Sequence, residues 1–455
     1  MSPESTTPLR RLLRRPMFRR WAVVNLLARL PMTMNLLALV LVGEAVTGSL
    51  ANGASLAGIA TVSAGLAAQW RGRMLDRVEL REGLRRHLGL SALAVLALLG
   101  AAAVEAPFAV LAVLVALQGL ASAAILGAFR TLLVECVPKE DLEPANALDA
   151  VFVEVAFVAG PAVAGILALA VGPLGVLVSM VASFSVAALM LRSLPTREPA
   201  APGATPGPAP LRTRGATAVY ALVFATGLPL GAWEATIPAR IEAFGMDPAS
   251  AGPLMALAAL GSGIAGLAAA NLRDPLRYGR LMASALLVAF GLLILPTAYA
   301  TSLPLLGLAI FGFGLPIAPL NALAGLAFQR TVATPRRAEG FALYPAMILI
   351  GAGIGQTIAG LLLDRLGAET LIRTLAVMPI LVAVPVLGAA LRRRLAGLPP
   401  GVGFGHDPTI VDPDSWLAPA AEVSVDLADT PAAHHTAPVA PRSDTREIRD
   451  STQPS

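Results

Sequence analysis

Residues 108–134 read FAVLAVLVALQGLASAAILGAFRTLLV, and Arg130 is the one charged residue in this stretch. A helix needs about 20 mostly apolar residues in a row to cross a bilayer core of roughly 30 Å. The strands of a membrane barrel alternate polar and apolar residues instead, and this stretch does not alternate. The stretch therefore predicts a transmembrane helix.

Similar apolar blocks recur along the whole chain. Of the 455 residues, 56% are hydrophobic and 14% are charged, and the mean hydropathy is +0.71. A water-soluble domain of this composition would lack enough polar surface to face water. We predict an all-α membrane protein with about twelve transmembrane helices in two six-helix bundles. The predicted spans lie near residues 19–44, 51–70, 87–104, 108–134, 145–170, 173–192, 216–240, 250–270, 280–299, 303–329, 339–363 and 371–391.

Arginine clusters occupy alternate loops between these blocks. The formal net charge is +5 and the isoelectric point is about 10.1. Loop arginines orient helices with their basic loops on the cytoplasmic side, so this pattern predicts a multi-pass protein of the cell membrane with both termini in the cytoplasm. The same short, loop-confined clusters argue against a nucleic-acid partner.

Composition also divides the chain into segments. Proline and glycine are too dense in the middle of the chain to hold a helix, and the polar C-terminal region lacks periodicity. We predict a basic cytoplasmic N-terminus (1–17), an N-terminal six-helix bundle (18–194), a Pro/Gly-rich cytoplasmic linker (195–215), a C-terminal six-helix bundle (216–394) and a disordered cytoplasmic tail (395–455).

Residue patterns for catalysis and for cofactors are missing from the sequence. The single cysteine, Cys136, excludes an intrachain disulfide and a cysteine metal cluster. The sequence has no phosphate-binding Gly-Lys-Ser/Thr loop, and the pair His434-His435 stands alone in the predicted tail. We therefore expect no enzyme, no cofactor and no bound metal. The expected partners are the lipid bilayer and a small-molecule substrate, and the expected state is a monomer.

An internal repeat supports two related halves. Residues 160–165 read GPAVAG in the fifth predicted span, and residues 355–360 read GQTIAG in the eleventh. Repeats at corresponding positions of two six-helix units are typical of secondary transporters.

A motif after the second span carries a family resemblance. Residues 72–77 read GRMLDR, which resembles the Gly-x-x-x-Asp-Arg signature between the second and third helices of the major facilitator superfamily. The resemblance implies the fold of that superfamily, with Gly72, Asp76 and Arg77 governing the interface between the bundles. Glycine would let the helix end approach a neighbour closely, and the carboxylate would cap a nearby helix. Glu79 stands where the family usually has a second glycine.

The fifth span carries a second signature. Gly160, Pro161 and Gly165 resemble the Gly-Pro motif of the superfamily's exporters and antiporters, and the surrounding segment is similar to actinobacterial-type efflux proteins. Proline kinks a helix, and small residues permit tight packing. The resemblance implies efflux by antiport and a role in multidrug resistance. Val115 stands where proton-coupled drug exporters often carry an arginine.

Polar residues at membrane depth are candidates for substrate or proton transport, because burying a charge in lipid is costly. Arg29 lies about ten residues into the first span, with Asn25 four residues earlier on the same face. Glu154 lies at a similar depth in the fifth span. We predict that Arg29 and Glu154 pair, either as a titrating pair or as a permanent structural salt bridge. Asp149 either faces the cavity or pairs with Arg130, and we favour the pairing.

Three further residues are candidates for the substrate cavity. In this superfamily the first, fourth, seventh and tenth helices line the central cavity, which implies Gln118, Glu234 and Asn321 as contacts. Glu234 has an alternative interpretation, in which it pairs with Arg240. Four acidic residues are interpreted as solvated loop charges, namely Glu135, Glu140, Asp141 and Glu143.

The sequence therefore favours a secondary transporter that moves a small molecule by alternating access, with proton-coupled efflux implied by the resemblance. Two alternatives stay open: a metabolite importer on the same fold, and a non-transporting membrane sensor or assembly protein.

Overall fold

The computed structural model describes residues 8–196, 214–269, 279–331 and 337–395, and the secondary structure within these ranges is helical. Residues 197–213, which form most of the predicted linker, and residues 396–455 of the predicted tail lie outside them. The helices are α1 Pro8–Arg14, α2 Pro16–Thr47, α3 Leu50–Asp76, α4 Leu80–Ala103, α5 Phe108–Ser122, α6 Ile125–Cys136, α7 Leu142–Met190, α8 Arg214–Glu242, α9 Ala251–Ala269, α10 Gly279–Tyr299, α11 Leu303–Gly314, α12 Ile317–Thr331 and α13 Arg337–Leu395.

Ten helical stretches in the described ranges are long and apolar enough to cross a membrane, against about twelve predicted spans. The difference arises in α7 and α13, which contain 49 and 59 residues. A straight helix of either length would exceed twice the bilayer core at about 1.5 Å per residue. Each is kinked at a glycine with a left-handed φ, Gly172 (79°) in α7 and Gly367 (71°) in α13. These glycines lie between predicted spans, and the count of twelve stays a prediction.

The turn between α2 and α3 is set by two neighbouring residues. Gly48 ends α2 with a φ of 69°, a conformation that favours glycine, and its N–H donates to the Glu44 carbonyl at 2.7 Å. Ser49 begins α3, and its hydroxyl accepts from the Asn52 N–H at 3.3 Å. The chain therefore reverses direction within two residues.

Two predicted spans are broken near their middle. The fourth divides into α5 and α6 at Ala123-Ala124, and the tenth divides into α11 and α12 at Leu315-Pro316. Pro316 explains the second break, because proline lacks the N–H that continues a helix. No breaker residue marks the first, where Ala124 has a φ of 70°. Interrupted helices at corresponding positions of two halves are a recognised indicator of a transport site.

Side chains compensate for the hydrogen bonds lost at the first break. The Ser122 hydroxyl donates to the Gly119 carbonyl at 3.3 Å. Arg71 of α3 donates from Nε to the Leu120 carbonyl at 3.0 Å. Both acceptors belong to the last turn of α5, whose carbonyls have lost their partners in the continuing helix.

The helices have a basic end and an acidic end. We call the end with α1, the start of α2 and the α3–α4 turn the basic end, because Arg11, Arg15 and Arg81 lie there. We call the opposite end, where α2 meets α3, the acidic end. There a cavity of about 640 Å³ is lined by residues of α2, α3, α8 and α13, including Glu44, Glu242, Asp364 and Glu369. The sequence predicts a cytoplasmic basic end, and this orientation stays a prediction.

Helices from the two predicted halves touch through glycines near the acidic end. A Cβ on Gly165 of α7 would overlap the backbone of Ala249, just before α9, and of Gly252 in α9. A Cβ on Gly58 of α3 would overlap Thr357 of α13. The second predicted span thus packs on the eleventh and the fifth on the eighth, so equivalent helices of the two predicted halves make equivalent contacts.

Candidate functional site

A buried polar cluster joins α2, α6 and α7 in the first predicted bundle. The Asp149 carboxylate accepts from Arg29 Nη2, from Asn25 Nδ2 and from Arg130 Nε, each at 3.1 Å. Arg29 also donates to the Asp149 carbonyl at 3.4 Å. Asn25, Arg29 and Asp149 are buried, whereas 62% of the Arg130 side chain is exposed. The predicted pairing of Asp149 with Arg130 is present.

The predicted pair between Arg29 and Glu154 is wrong. Arg29 pairs with Asp149 instead, at 3.1 Å. Depth along the helix suggested Glu154, but five residues correspond to about 500° of helical rotation, so Glu154 points roughly 140° away from Asp149. The face of α7 decides the partner, and Asp149 is on the face that packs against α2.

Glu154 lies on the same face of α7 as Gly165, the residue that contacts α9 near the acidic end. It precedes Gly165 by eleven residues, about three helical turns, so the two share a face. Gly165 is buried against α9, whereas Glu154 is exposed. On α9, Gly263 follows Gly252 by eleven residues, and a Cβ on Gly263 would meet nothing within 4 Å. Helices α7 and α9 therefore separate towards the basic end, and Glu154 lies where they part.

An amide pair lies beside the break between α5 and α6. Gln118 donates from Nε2 to Asn35 Oδ1 at 3.0 Å, and its own buried Oε1 has no hydrogen-bond partner. Gln118 is a predicted cavity residue, whereas Asn35 is not among the predicted site residues. The available signal was an amide in the middle of the apolar first span.

The other two cavity candidates lie in the second half. Asn321 is exposed and belongs to the first turns of α12, just past the second break, and its carbonyl accepts from the Tyr344 hydroxyl at 3.2 Å. Glu234 is partly buried in α8, and the alternative that pairs it with Arg240 is wrong. Arg240 pairs with Glu369 at 3.5 Å.

The position of Arg240 explains why it does not bond Glu234. Its Nη2 donates to the carbonyls of Ala298 and Ala300 at 3.2 and 2.6 Å. These carbonyls lie at the end of α10, where cations are favourable and where carbonyls lack helical partners. The Arg240 side chain therefore stabilises a helix terminus.

The motif of residues 72–77 lies at the end of α3, and the structure tests one of its predicted contacts. A Cβ on Gly72 would meet nothing within 4 Å, so the predicted close approach at this glycine is wrong in this conformation. Arg77 is exposed, and the side chain of Asp76 lies outside the described residues. Gly160 in the second motif does pack closely, because a Cβ there would overlap Thr33 of α2.

Asp141 holds α1 to the loop before α7, contrary to its interpretation as a solvated loop charge. Its carboxylate accepts from Arg11 Nη2 and from Arg15 Nε, both at 2.7 Å, and none of its side chain is exposed. Leu12 between the two arginines is fully buried. The sequence gives no sign of this contact, because the partners are separated by about 130 residues.

We expect Asp141→Asn to release α1, because the two arginines would lose a charged acceptor. Tryptic cleavage after Arg11 or Arg14 in the purified protein should become roughly tenfold faster, as charge-assisted hydrogen bonds are lost. Glu140→Gln is the matched control, since Glu140 is the exposed neighbour. Equal cleavage of both variants would contradict this role of Asp141 in holding α1.

Comparisons with known proteins agree on a family and on a fold. The sequence model described as the Major Facilitator Superfamily matches residues 21–333. Among curated proteins, the 4-hydroxybenzoate transporter PcaK of Pseudomonas aeruginosa is 32% identical over 174 residues, which is 37% of each chain. The chain thus matches little more than a third of that relative's length.

Solved structures share the fold at low sequence identity. A variant of the nucleoside transporter NupG has a TM-score of 0.68 and 16% identity, covering 82% of this chain and 99% of that one. The human organic anion transporter MFSD10 has a TM-score of 0.58 and 15% identity, covering 84% and 100%. A variant of the peptide transporter POT, in complex with sulfate, has a TM-score of 0.66 and 12% identity, covering 82% and 94%.

Proposed function

Since this chain belongs to the Major Facilitator Superfamily and is an integral membrane transporter of small molecules, we propose that it exports its substrate across the cell membrane in exchange for protons. In this proposal the chain works as a monomer with twelve membrane spans and with its basic end in the cytoplasm. Its two halves rock about a central site, and Glu154 carries the proton.

The position of Glu154 carries the proposal. The carboxylate is exposed where α7 and α9 separate, on the face of α7 whose other end packs against α9 through Gly165. Within the described ranges no ion pair neutralises it. An alternating-access cycle would bring the basic ends of α7 and α9 together, and Glu154 would then lie between two apolar helices.

The physical link between proton and substrate follows from desolvation. Enclosing an ionised carboxylate between apolar helices is unfavourable, whereas enclosing a protonated one costs much less. The conformation closed at the basic end is therefore favoured when Glu154 is protonated. In exchange, Glu154 takes up a proton at the open acidic end, where the substrate leaves, and releases it when the basic end reopens. A carboxylate at the point where two helices separate can in this way couple the proton gradient to the rocking motion.

We expect Glu154→Gln to lose uphill transport while keeping exchange. Glutamine cannot ionise, so closure at the basic end no longer needs a proton, and substrate should still move down its gradient. In proteoliposomes, accumulation driven by a pH gradient should fall at least about tenfold, the effect of roughly 1.4 kcal/mol of coupling. Substrate counterflow without a pH gradient should persist.

Glu143→Gln is the matched control, because Glu143 is an exposed carboxylate in the first turn of the same helix. Unchanged uphill transport by Glu154→Gln would exclude a proton role for Glu154. Loss of coupling in Glu234→Gln instead would move the proton site to the second half.

The direction of transport and the substrate are tested by the same vesicles. A first panel takes its members from the similar proteins: 4-hydroxybenzoate, a nucleoside and a dipeptide. Export predicts that substrate moves against its gradient from the side of the basic end, in exchange for protons. Movement together with protons towards that side would support the importer. The absence of any coupled flux would favour the sensor or assembly protein.

A further inference from the structure

The charges of the buried polar cluster do not balance. The cluster comprises Asn25, Arg29, Arg130 and Asp149, and Asp149 is the one carboxylate that its two guanidinium groups contact in the described structure. Both Asp149 oxygens are in use, since Oδ1 accepts from Arg29 and Asn25 and Oδ2 from Arg130. The cluster therefore has a formal charge of +1.

The excess charge is displayed on one side only. Arg29 is 4% exposed and Asp149 is 1% exposed, so neither can reach a large ligand without rearrangement. Arg130 is 62% exposed, and its described hydrogen bond to Asp149 uses Nε alone. In the described structure its two Nη groups donate no hydrogen bond to Asp149. The buried Nε of Arg29 has no hydrogen-bond partner, which leaves a further donor in the cluster unsatisfied.

We propose that Arg130, backed by Arg29, binds the oxyanion group of a singly charged anionic substrate, a carboxylate or a phosphate ester. The inference rests on the proposed transport function and names its substrate class. A guanidinium group offers paired N–H donors that match an oxyanion in a bidentate geometry. The site would hold the anionic group beside the middle of α6, where Arg130 lies.

Charge neutrality gives the binding site a role in the cycle. With one anion bound, the formal charge of the cluster becomes zero. Moving or enclosing a neutral cluster among apolar helices costs less than enclosing a charged one. The loaded protein would therefore close over the site more readily than the empty protein.

Binding by probes that differ only in charge tests the proposal. The full chain is purified into nanodiscs of neutral phosphatidylcholine, and thermal stabilisation is titrated with benzoate, phenyl phosphate, benzamide and benzylamine. We expect benzoate or phenyl phosphate to stabilise the protein and the neutral and cationic probes not to do so. In Arg130→Gln the apparent affinity for the anion should fall at least about tenfold, because a charge-assisted bidentate contact is lost. Arg130→Lys should retain part of it.

Folding and lipid are controlled in the same experiment. Asp149 keeps Arg29 and Asn25 as partners in Arg130→Gln, so this variant should fold. Arg86→Gln is the control for loss of an exposed arginine, 67% exposed at the basic end. Stabilisation by benzylamine, by none of the anions, or equally in Arg130→Gln would overturn the proposal. Stabilisation only when phosphatidylglycerol is added to the nanodiscs would assign the site to a lipid headgroup and would also overturn it.

The outcomes separate this inference from the proposed function, because binding is measured without flux. Arg130-dependent anion binding without proton-driven transport would support the anion site and contradict the proposed proton-coupled export. Proton-driven transport of a cationic or neutral substrate, insensitive to Arg130→Gln, would remove the anion site alone.

Discussion

Replacing Gly252 by leucine is expected to lower the transport rate at least about tenfold. A Cβ at this position would already overlap the Pro161 carbonyl and the backbone of Gly165, and leucine adds three more carbon atoms. Overpacking of this kind costs about 1–3 kcal/mol or more, and each 1.4 kcal/mol is a factor of ten in the population of a conformation. The variant should therefore lose the conformation in which α7 and α9 touch at the acidic end.

Cysteine labelling can detect that loss directly. Ala150 is exposed and lies one turn before Glu154, on the side of α7 that faces the separated part of α9. In a Cys136→Ala background, Ala150→Cys should react readily with a maleimide reagent, and the Gly252→Leu change should slow that reaction. Unchanged labelling together with full transport would show that the glycine contact is dispensable.

A second leucine on the same helix should act in the opposite sense. Gly263 has nothing within 4 Å here, yet it faces the part of α7 that an alternating cycle would bring close. Gly263→Leu should therefore disfavour closure at the basic end and increase labelling at Ala150→Cys. Gly100→Leu in α4 is the neutral control, since Gly100 is exposed and also has nothing within 4 Å. Opposite shifts from two leucines on α9 would identify a rocking contact rather than a general loss of stability.

The sequence predicts helices and their faces well where one physical signal dominates. Long apolar blocks define the membrane-crossing stretches, since lipid leaves the backbone few alternatives to a helix. The break at Pro316 could have been predicted from the missing N–H. The break at Ala123-Ala124 could not, because alanine favours helix, yet Ala124 adopts a positive φ.

The sequence predicts which residues belong to the candidate site more reliably than which of them pair with each other. Arg29, Asn25 and Asp149 were identified as functional candidates because charges and amides are rare at membrane depth, and they do come together. The partner of Arg29 was mistaken, since depth in the membrane says nothing about which face of α7 a residue occupies. The pairing of Asp141 with Arg11 and Arg15 was not predicted, because a carboxylate in a loop is usually solvated.

The largest loss of stability is expected from Asp149→Leu. The substitution leaves the Arg29 guanidinium 4% exposed and without its carboxylate. Removing one partner of a buried ion pair costs about 3–5 kcal/mol, because the remaining charge stays desolvated. The melting temperature and the yield of monodisperse protein in detergent should both fall sharply. Glu82→Leu breaks ion pairs on the exposed surface of α4 and should leave both values unchanged.

The double variant Arg29→Leu with Asp149→Leu decides what kind of loss this is. If the cost comes from an orphaned charge, removing both charges should restore most of the stability, because apolar replacements of a buried pair are often neutral or stabilising. Arg29→Leu alone should be milder than Asp149→Leu, since Asp149 would keep Arg130 and Asn25. A double variant that is as unstable as Asp149→Leu would instead indicate that the hydrogen bonds of the cluster, rather than its charge, maintain the packing of α2 on α7. A stable double variant that no longer transports would separate stability from function, because its fold would survive without the buried pair that supports Arg130.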